Sequence, residues 1–273
     1  MQDHSALRLV SLGAFILVLS PLASAQSVEA ITKPSEDVTL SFVRAGAIAQ
    51  ILVKEGDTVA AGQLLVKQDD TAELVNLEQL QAEAESTVRV EAAQAQLDEK
   101  KVEYNKMRDA DVKGAVSKWD VDRARLAVEI ADLSLQLARF EHTQNGRKRD
   151  EAKLQIDRMS IRSPIAGRVE KLFVQPGEAA DALEDVIRVV KIDPLWIDVP
   201  VPLPRARSLA VGRPVTVLFG PAQGESTQGR LILIAAVADA ASDTISCRIA
   251  LPNPAARPAG EHVNVNFLPS GDK

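Results

Sequence analysis

The side chains able to do chemistry are few and far apart. Histidines stand at His4, His142 and His262, none with a second ligand at metal-binding spacing. The methionines Met1, Met107 and Met159 are too dispersed for a methionine copper site. Cys247 is the single cysteine, which excludes an internal disulfide. Strand alternation puts it on an inward face, as a small apolar residue and not a reactive thiol. Paired carboxylates (Asp69-Asp70, Glu83/Glu85) fall at a helix start or on a helix surface, where they compensate the helix dipole and stay solvated. No phosphate-binding glycine loop or nucleophile elbow is present. The expectation is therefore no catalytic residue, no metal ligand, no cofactor and no enzyme. A net charge of −6, with no basic run longer than Arg147-Lys148-Arg149, argues against a nucleic-acid partner.

The organising feature is a repeat. Moving Ala45–Asp70 along the chain by 121 positions lays AGAIAQILVKEGDTVAA on AGRVEKLFVQPGEAADA, matching Gly46 to Gly167, Val53 to Val174 and Gly56 to Gly177. Each copy reads as a glycine, a short apolar strand, a glycine turn and a second strand. A half-sheet this small cannot bury its own apolar face, so the copies must pack as one unit. After Ala182, Leu183-Glu184 replace Gly62-Gln63, which predicts a different last turn in the second copy.

Residues 71–158 separate the copies. From Thr71 to about Asp109 there is no proline or glycine and good helix formers dominate. Leu74, Leu77, Ala84, Val88, Ala95 and Val102 share one heptad frame, interrupted at Gln81, Glu91 and Asp98. The turn is 111–116, and Ser117 with Asp120 makes a capping box that opens a second helix. Its a positions are Val121, Val128, Leu135, His142, Arg149 and Ile156; its d positions are Ala124, Ala131, Ala138, Asn145, Ala152 and Met159. Leu126, Ile130, Leu133, Leu137 and Phe140 recur at 4-3-4-3 spacing on the opposite side of this helix. A helix with two apolar faces is buried from both, and its sister covers only one. The second stripe is therefore expected to meet a neighbouring copy in a ring. Trp119, in the first turn of the second helix, is a candidate contact at the hairpin tip; packing back onto Met107 is the alternative.

Arg8, the apolar run 9–22 and Ala23-Ser24-Ala25 read as a cleavable export signal over residues 1–25, since the run is shorter than the roughly 20 residues that span a bilayer. After Asp193 the period becomes two. Leu195, Ile197, Val199 and Val201 point one way, as do Val215, Val217 and Phe219, then Ile245, Cys247, Ile249 and Leu251, then Val263, Val265 and Phe267. Leu231–Val237 reads as a continuous apolar strand, and Pro200 and Pro202 predict an edge strand. The fold class is α+β, elongated and multi-domain. A β-sandwich at 38–70 plus 159–193 is split by a helical hairpin at 71–158, and a small antiparallel β-barrel follows at 194–268.

The split repeat resembles the two halves of a biotinyl/lipoyl domain, and a lipoyl-like domain interrupted by a helical hairpin resembles the HlyD-type membrane fusion proteins. IRSPIAG (161–167) and DPLWIDVPV (193–201) are similar to that family's return to the second half and its first barrel strand. The resemblance implies a periplasmic adaptor in the cell envelope, without cofactor, serving an inner-membrane transporter of RND or ABC type in efflux or secretion. It implies a possible outer-membrane tunnel protein at the hairpin tip. The family's arginine, leucine and serine at the tip correspond to Lys106, Ala110 and Ser117, of which only the serine is kept. Larger adaptors of that family build a membrane-proximal domain from segments before the first half and after the barrel; here only residues 26–37 and the last few residues correspond to it, and that domain is expected to be absent. The rival is a biotin- or lipoyl-type carrier. Its modified lysine would lie in the tight hairpin joining the halves, which the helical insert replaces; Lys67 is the nearest lysine, in an LVKQDD setting unlike a carrier's.

Overall fold

A computed structural model describes residues 27–220 and 225–267. The expected export signal lies outside them. The chain divides into two compact units, one of residues 34–194 and 255–257, the other of 27–33 with the chain from 195 onward except 255–257.

In the first unit the repeat becomes two interlocked half-sheets. The first copy gives β2 (Gly46–Ile51), β3 (Thr58–Val59) and β4 (Leu64–Gln68), preceded by β1 (Val28–Ser41). The second gives β5 (Ser160–Arg162), β6 (Gly167–Leu172), β7 (Ala179–Ala180) and β8 (Asp185–Pro202). Each half lends its short strand to the other: β7 pairs with β2, and β3 with β6. The backbone bonds repeat with the same 121-residue shift. The Gly56 N–H donates to the Val169 carbonyl at 2.9 Å and the Gly177 N–H to the Ile48 carbonyl at 2.8 Å. Phe42, Ile48, Val59, Leu65, Val66, Val169, Val186, Ile187 and Val189 form the shared core, nearly solvent-free. Gly167 is required by the close pairing of β6 with β8, because a Cβ there would stand 2.5 Å from the Val190 carbonyl oxygen.

The last turn of the second half does not differ from the first, contrary to the sequence expectation. The Gln63 side chain accepts from the Ala60 N–H at 2.9 Å, and the Glu184 carboxylate accepts from the Asp181 N–H at 3.0 Å. Leu183 adopts φ +65° where Gly62 has φ +82°. The acceptor in the turn, not the glycine, sets its shape.

The insert is a hairpin of α1 (Thr71–Glu85), α2 (Val88–Val112) and α3 (Lys118–Arg158). The first arm was expected to be one helix, but it breaks at Ser86-Thr87. Ser86 is extended (φ −73°, ψ 117°), and the Thr87 hydroxyl donates to the Glu91 carboxylate at 2.6 Å. Two successive hydroxyl residues, whose side chains compete for local hydrogen bonds, lower the helix preference there. The break moves the seam. Before the break Leu77 is half-buried and Ala84 buried, although Leu74, expected in the seam, is exposed; beyond it Val90, Ala93 and Leu97 pack on Val128, Ala131 and Leu135. Val88 and Val102, expected in the seam, are instead 69% and 53% exposed. The frame has advanced by two residues. α3 has no such break, runs through Gly146, and keeps its expected seam: Ala124, Ala131, Leu135, Ala138 and Ala152 are buried. The break leaves a cleft of about 430 Å³ lined by Glu83, Ser86, Arg89, Val90, Ala138, Glu141, His142 and Asn145.

The second unit is a ring of strands in the order β1, β12 (His262–Phe267), β9 (Pro214–Phe219), β10 (Glu225–Asp239), β11 (Thr244–Leu251), β8, with β1 also pairing β8; the short α4 (Leu203–Ala206) follows β8. Every inward residue expected from the alternation is buried, Cys247 included. Burial raises the Cys247 thiol pKa. Two points differ from expectation. Residues 28–31 supply a further strand, paired with 262–265. Its inward residues are only Ala30 and Thr32, too small and polar to show as a strand period; the Thr32 hydroxyl accepts from the Gly260 and Glu261 N–H groups at 3.1 and 3.0 Å. β8 lies beside β11 along Leu195–Pro202, which sets Pro200 and Pro202 opposite Ser246 and Thr244. The apolar run in β10 is not buried throughout. Register shifts around Leu233 and Ile234 leave Leu233 47% and Val237 81% exposed.

Candidate interaction surfaces

The hairpin tip is built by two caps. Gly114 (φ +71°) reverses the chain after α2, while the Ala110 carbonyl accepts from the Lys113 and Ala115 N–H groups at 3.1 and 3.0 Å. Ser117 opens α3: its hydroxyl accepts from the Asp120 N–H at 3.3 Å, and the Asp120 carboxylate accepts from the Ser117 N–H at 3.2 Å. The Ser117 hydroxyl donates to the same carboxylate at 2.6 Å, the main cause that lowers the Asp120 pKa. Ala110 is half-buried in the turn, whereas Lys106 and Ser117 are exposed. Trp119 is 67% exposed, with the Arg123 guanidinium 5.5 Å from its ring centre, so it does not pack back into the hairpin.

Running from this tip toward the base, Leu126, Ile130, Leu133, Leu137 and Phe140 are each 55–64% exposed. Trp119 stands one heptad before Leu126, on the same face, an extension that the sequence spacing contained but that its assignment to the tip obscured. Neither α1 nor α2 covers this stripe, because both pack on the a/d face of α3.

Lys67, the one lysine considered for a carrier arm, lies within β4. Its ammonium pairs with the Asp70 carboxylate at 2.8 Å, and Asp70 is nearly buried. A side chain pinned inside a sheet, with both sheet neighbours in place, is not displayed at a hairpin tip as a swinging arm must be.

The barrel's outer surface carries a charge cluster at Asp198. Arg248 makes a two-pronged contact with Asp198 (2.7 and 3.2 Å) and lies 4.5 Å over the Trp196 ring; Lys33 approaches the same carboxylate at 3.5 Å. The hydrogen bond from Arg248 is the chief cause that lowers the Asp198 pKa.

A family model for the RND MFP barrel-sandwich hybrid domain matches residues 37–192, more than half of the chain. The chain belongs to the membrane fusion protein family. A second model, for the CusB-like beta-barrel domain, matches residues 194–269. No curated protein sequence matches this membrane fusion protein. Solved structures share its fold at low identity. MacA from Actinobacillus actinomycetemcomitans superposes with a TM-score of 0.77 at 18% identity, over 89% of this chain and 78% of that one. The membrane fusion protein Spr0693 from Streptococcus pneumoniae R6 gives 0.64 at 17%, over 89% and 98%. A MacA-MexA chimera containing the Pseudomonas aeruginosa MexA alpha-hairpin domain gives 0.54 at 17%, over 89% and 79%. Membership makes the protein an envelope-associated adaptor of the efflux class. The carrier alternative is not favoured, in keeping with the position of Lys67.

Proposed function

We propose that this adaptor works without catalysing a reaction, as a ring of identical copies that joins an inner-membrane transporter to the outer envelope. The observation that carries this reading is the apolar stripe of α3, whose five large side chains stay solvent-exposed in the single chain. A patch of that kind on a soluble surface marks a contact site. Its place on a hairpin whose other face is already filled points to another copy.

Of the two transporter types the sequence leaves open, RND is favoured because both matching domain models are of RND adaptor type. The barrel segments 202–213 and 254–262 are the proposed transporter contact. The tip residues Lys106, Ala110, Ser117 and Trp119 are the proposed contact with an outer-membrane tunnel protein, Trp119 supplying most of its apolar area. Residues 1–25 are proposed as a cleaved signal that delivers the chain to the periplasm.

Photo-crosslinking amino acids placed at exposed positions of 202–213, 254–262 and the tip, in the native host, test the assignment. Mass spectrometry should identify an inner-membrane transporter from the barrel sites and an outer-membrane protein from the tip. Transporter capture from the tip alone would contradict the assignment.

A further inference from the structure

The barrel gathers arginines at one end. Arg205 lies in α4, with its guanidinium 5.6 Å from the centre of the Phe267 ring at the close of β12. Arg213, at the entry to β9, donates to the Ser208 carbonyl at 3.4 Å, and Arg230 donates to the Gly212 carbonyl at 3.4 Å. Arg207 opens the 207–213 loop, and both Arg207 and Arg230 are exposed. No aspartate or glutamate occurs from Leu203 to Gly220, in a chain whose net charge is −6. The 239–243 turn borders α4, its Asp243 carbonyl accepting from the Leu203 N–H at 3.1 Å. The Asp239 carboxylate of that turn is held by the Ala241 N–H and the Ser242 hydroxyl. Among the arginines the surface is apolar: Val211 is 63% exposed, and Pro204 and Ala210 are exposed too.

The described chain enters and leaves the barrel at this same end. Val28, the first residue of β1, pairs with Val265, two residues before Phe267 closes β12. Val215, two residues after Arg213, pairs with Phe267 and so lies at the same level. In the sequence the apolar run 9–22 stops six positions before Val28, a separation of at most about 20 Å for a fully extended chain. With that run in the inner membrane during export, the arginine end of the barrel is held within this reach of the headgroups.

We infer that the surface of Arg205, Arg207, Arg213, Arg230 and Val211 binds the anionic phospholipid headgroups of the inner membrane, and keeps the barrel at the bilayer once the signal is removed. Removal of the signal rests on the reading above; the headgroup contact does not depend on the transporter contact assigned to 202–213, because a transporter lies in the same bilayer. A guanidinium is planar, always charged, and matches phosphate oxygens two at a time. Near an anionic leaflet each such group strengthens binding about fivefold. Arg207 and Arg230 reach outward, while the half-buried Arg205 and Arg213 add charge behind them. Val211 offers a short apolar side chain to the headgroup layer, where no pocket is needed. An acidic protein surface would use the same charges, but it would not account for their gathering where the chain's apolar segment joins the barrel.

The test is flotation of the exported protein, residues 26–273, with vesicles of phosphatidylcholine plus phosphatidylglycerol and with vesicles of phosphatidylcholine alone. Binding is expected to the first only, and is expected to be lost in high salt, which screens exposed charges. Arg207→Glu/Arg230→Glu should lower the partition coefficient by about tenfold or more, and Arg207→Gln/Arg230→Gln by less. Lys101→Glu/Arg125→Glu makes the same change in net charge at exposed hairpin positions and should leave binding unchanged. Thermal unfolding matched to the parent shows that each variant keeps its barrel; the glutamine pair serves if the glutamate pair does not. Equal binding to both vesicle types, binding to neither, or an equal loss in the barrel and hairpin glutamate variants would overturn the inference. If vesicles are not bound but Arg207→Glu/Arg230→Glu abolishes transporter capture from 254–262 in the native host, the arginines serve an acidic protein surface. The inference then fails while the transporter reading stands. Vesicle binding as expected, with no capture from 254–262, would uphold the inference and remove the transporter reading instead.

Discussion

Leu183 holds a left-handed backbone, φ +65°, at the place where Gly62, its counterpart 121 residues earlier, holds φ +82°. A non-glycine residue there costs about 1–2 kcal/mol, less the entropy a glycine loses on folding. Leu183 is 75% exposed, so burial returns little of it. Leu183→Gly should therefore raise stability by up to about 1 kcal/mol in denaturant unfolding. A loss of stability would show that the leucine side chain makes a contact that supports the fold.

The capping box gives a local prediction. Ser117→Ala removes the acceptor for the Asp120 N–H and should cost about 1 kcal/mol. Hydrogen exchange should quicken over the first turn of α3, 118–121, and stay unchanged near Leu135. Uniform loss of protection along α3 would mean that the cap holds the whole hairpin.

Asp198 gives a pH prediction. Its folded pKa is lowered from the usual 3.8, first by the hydrogen bond from Arg248. A carboxylate of this kind adds stability that is fully present above its unfolded pKa and is lost as pH falls through the folded one. Asp198→Asn should destabilise the barrel by roughly 1 kcal/mol at pH 7, with the difference shrinking below pH 3.8. A difference that persists undiminished at pH 2 would assign the effect to packing on Trp196 instead.

Lys67 should be unmodified in cells. Intact mass of the protein from the envelope fraction should match residues 26–273 without addition. A lipoyl or biotinyl increment would restore the carrier reading.

What the sequence made legible, and what it hid, follows from the length over which each pattern runs. The α3 seam was readable because 41 residues of unbroken helix keep one frame. The α2 seam was not, because a two-residue break costs little in composition yet re-phases everything after it. The interlock of the half-sheets was implied by the repeat. The matching last turn was missed because Glu184 does through a carboxylate what Gln63 does through an amide oxygen. In the barrel, inward valines and isoleucines announced their strands, whereas Ala30 and Thr32 did not. Continuous hydrophobicity misled at 231–237, where the shifted register of β10 turns apolar residues outward. Among the proposed contact residues, the stripe was legible in the spacing as a second apolar face on α3, and Trp119 extends it by one heptad.

The central claim is that the α3 stripe is an intermolecular surface. Sedimentation velocity of the Leu126→Glu/Leu133→Glu variant beside the parent chain, with far-UV circular dichroism on the same samples, tests it most directly. The account predicts that the parent sediments as an oligomer and the variant as a monomer, both with the same helical signal. A variant that loses helicity, or that keeps the parent's oligomeric mass, would contradict it.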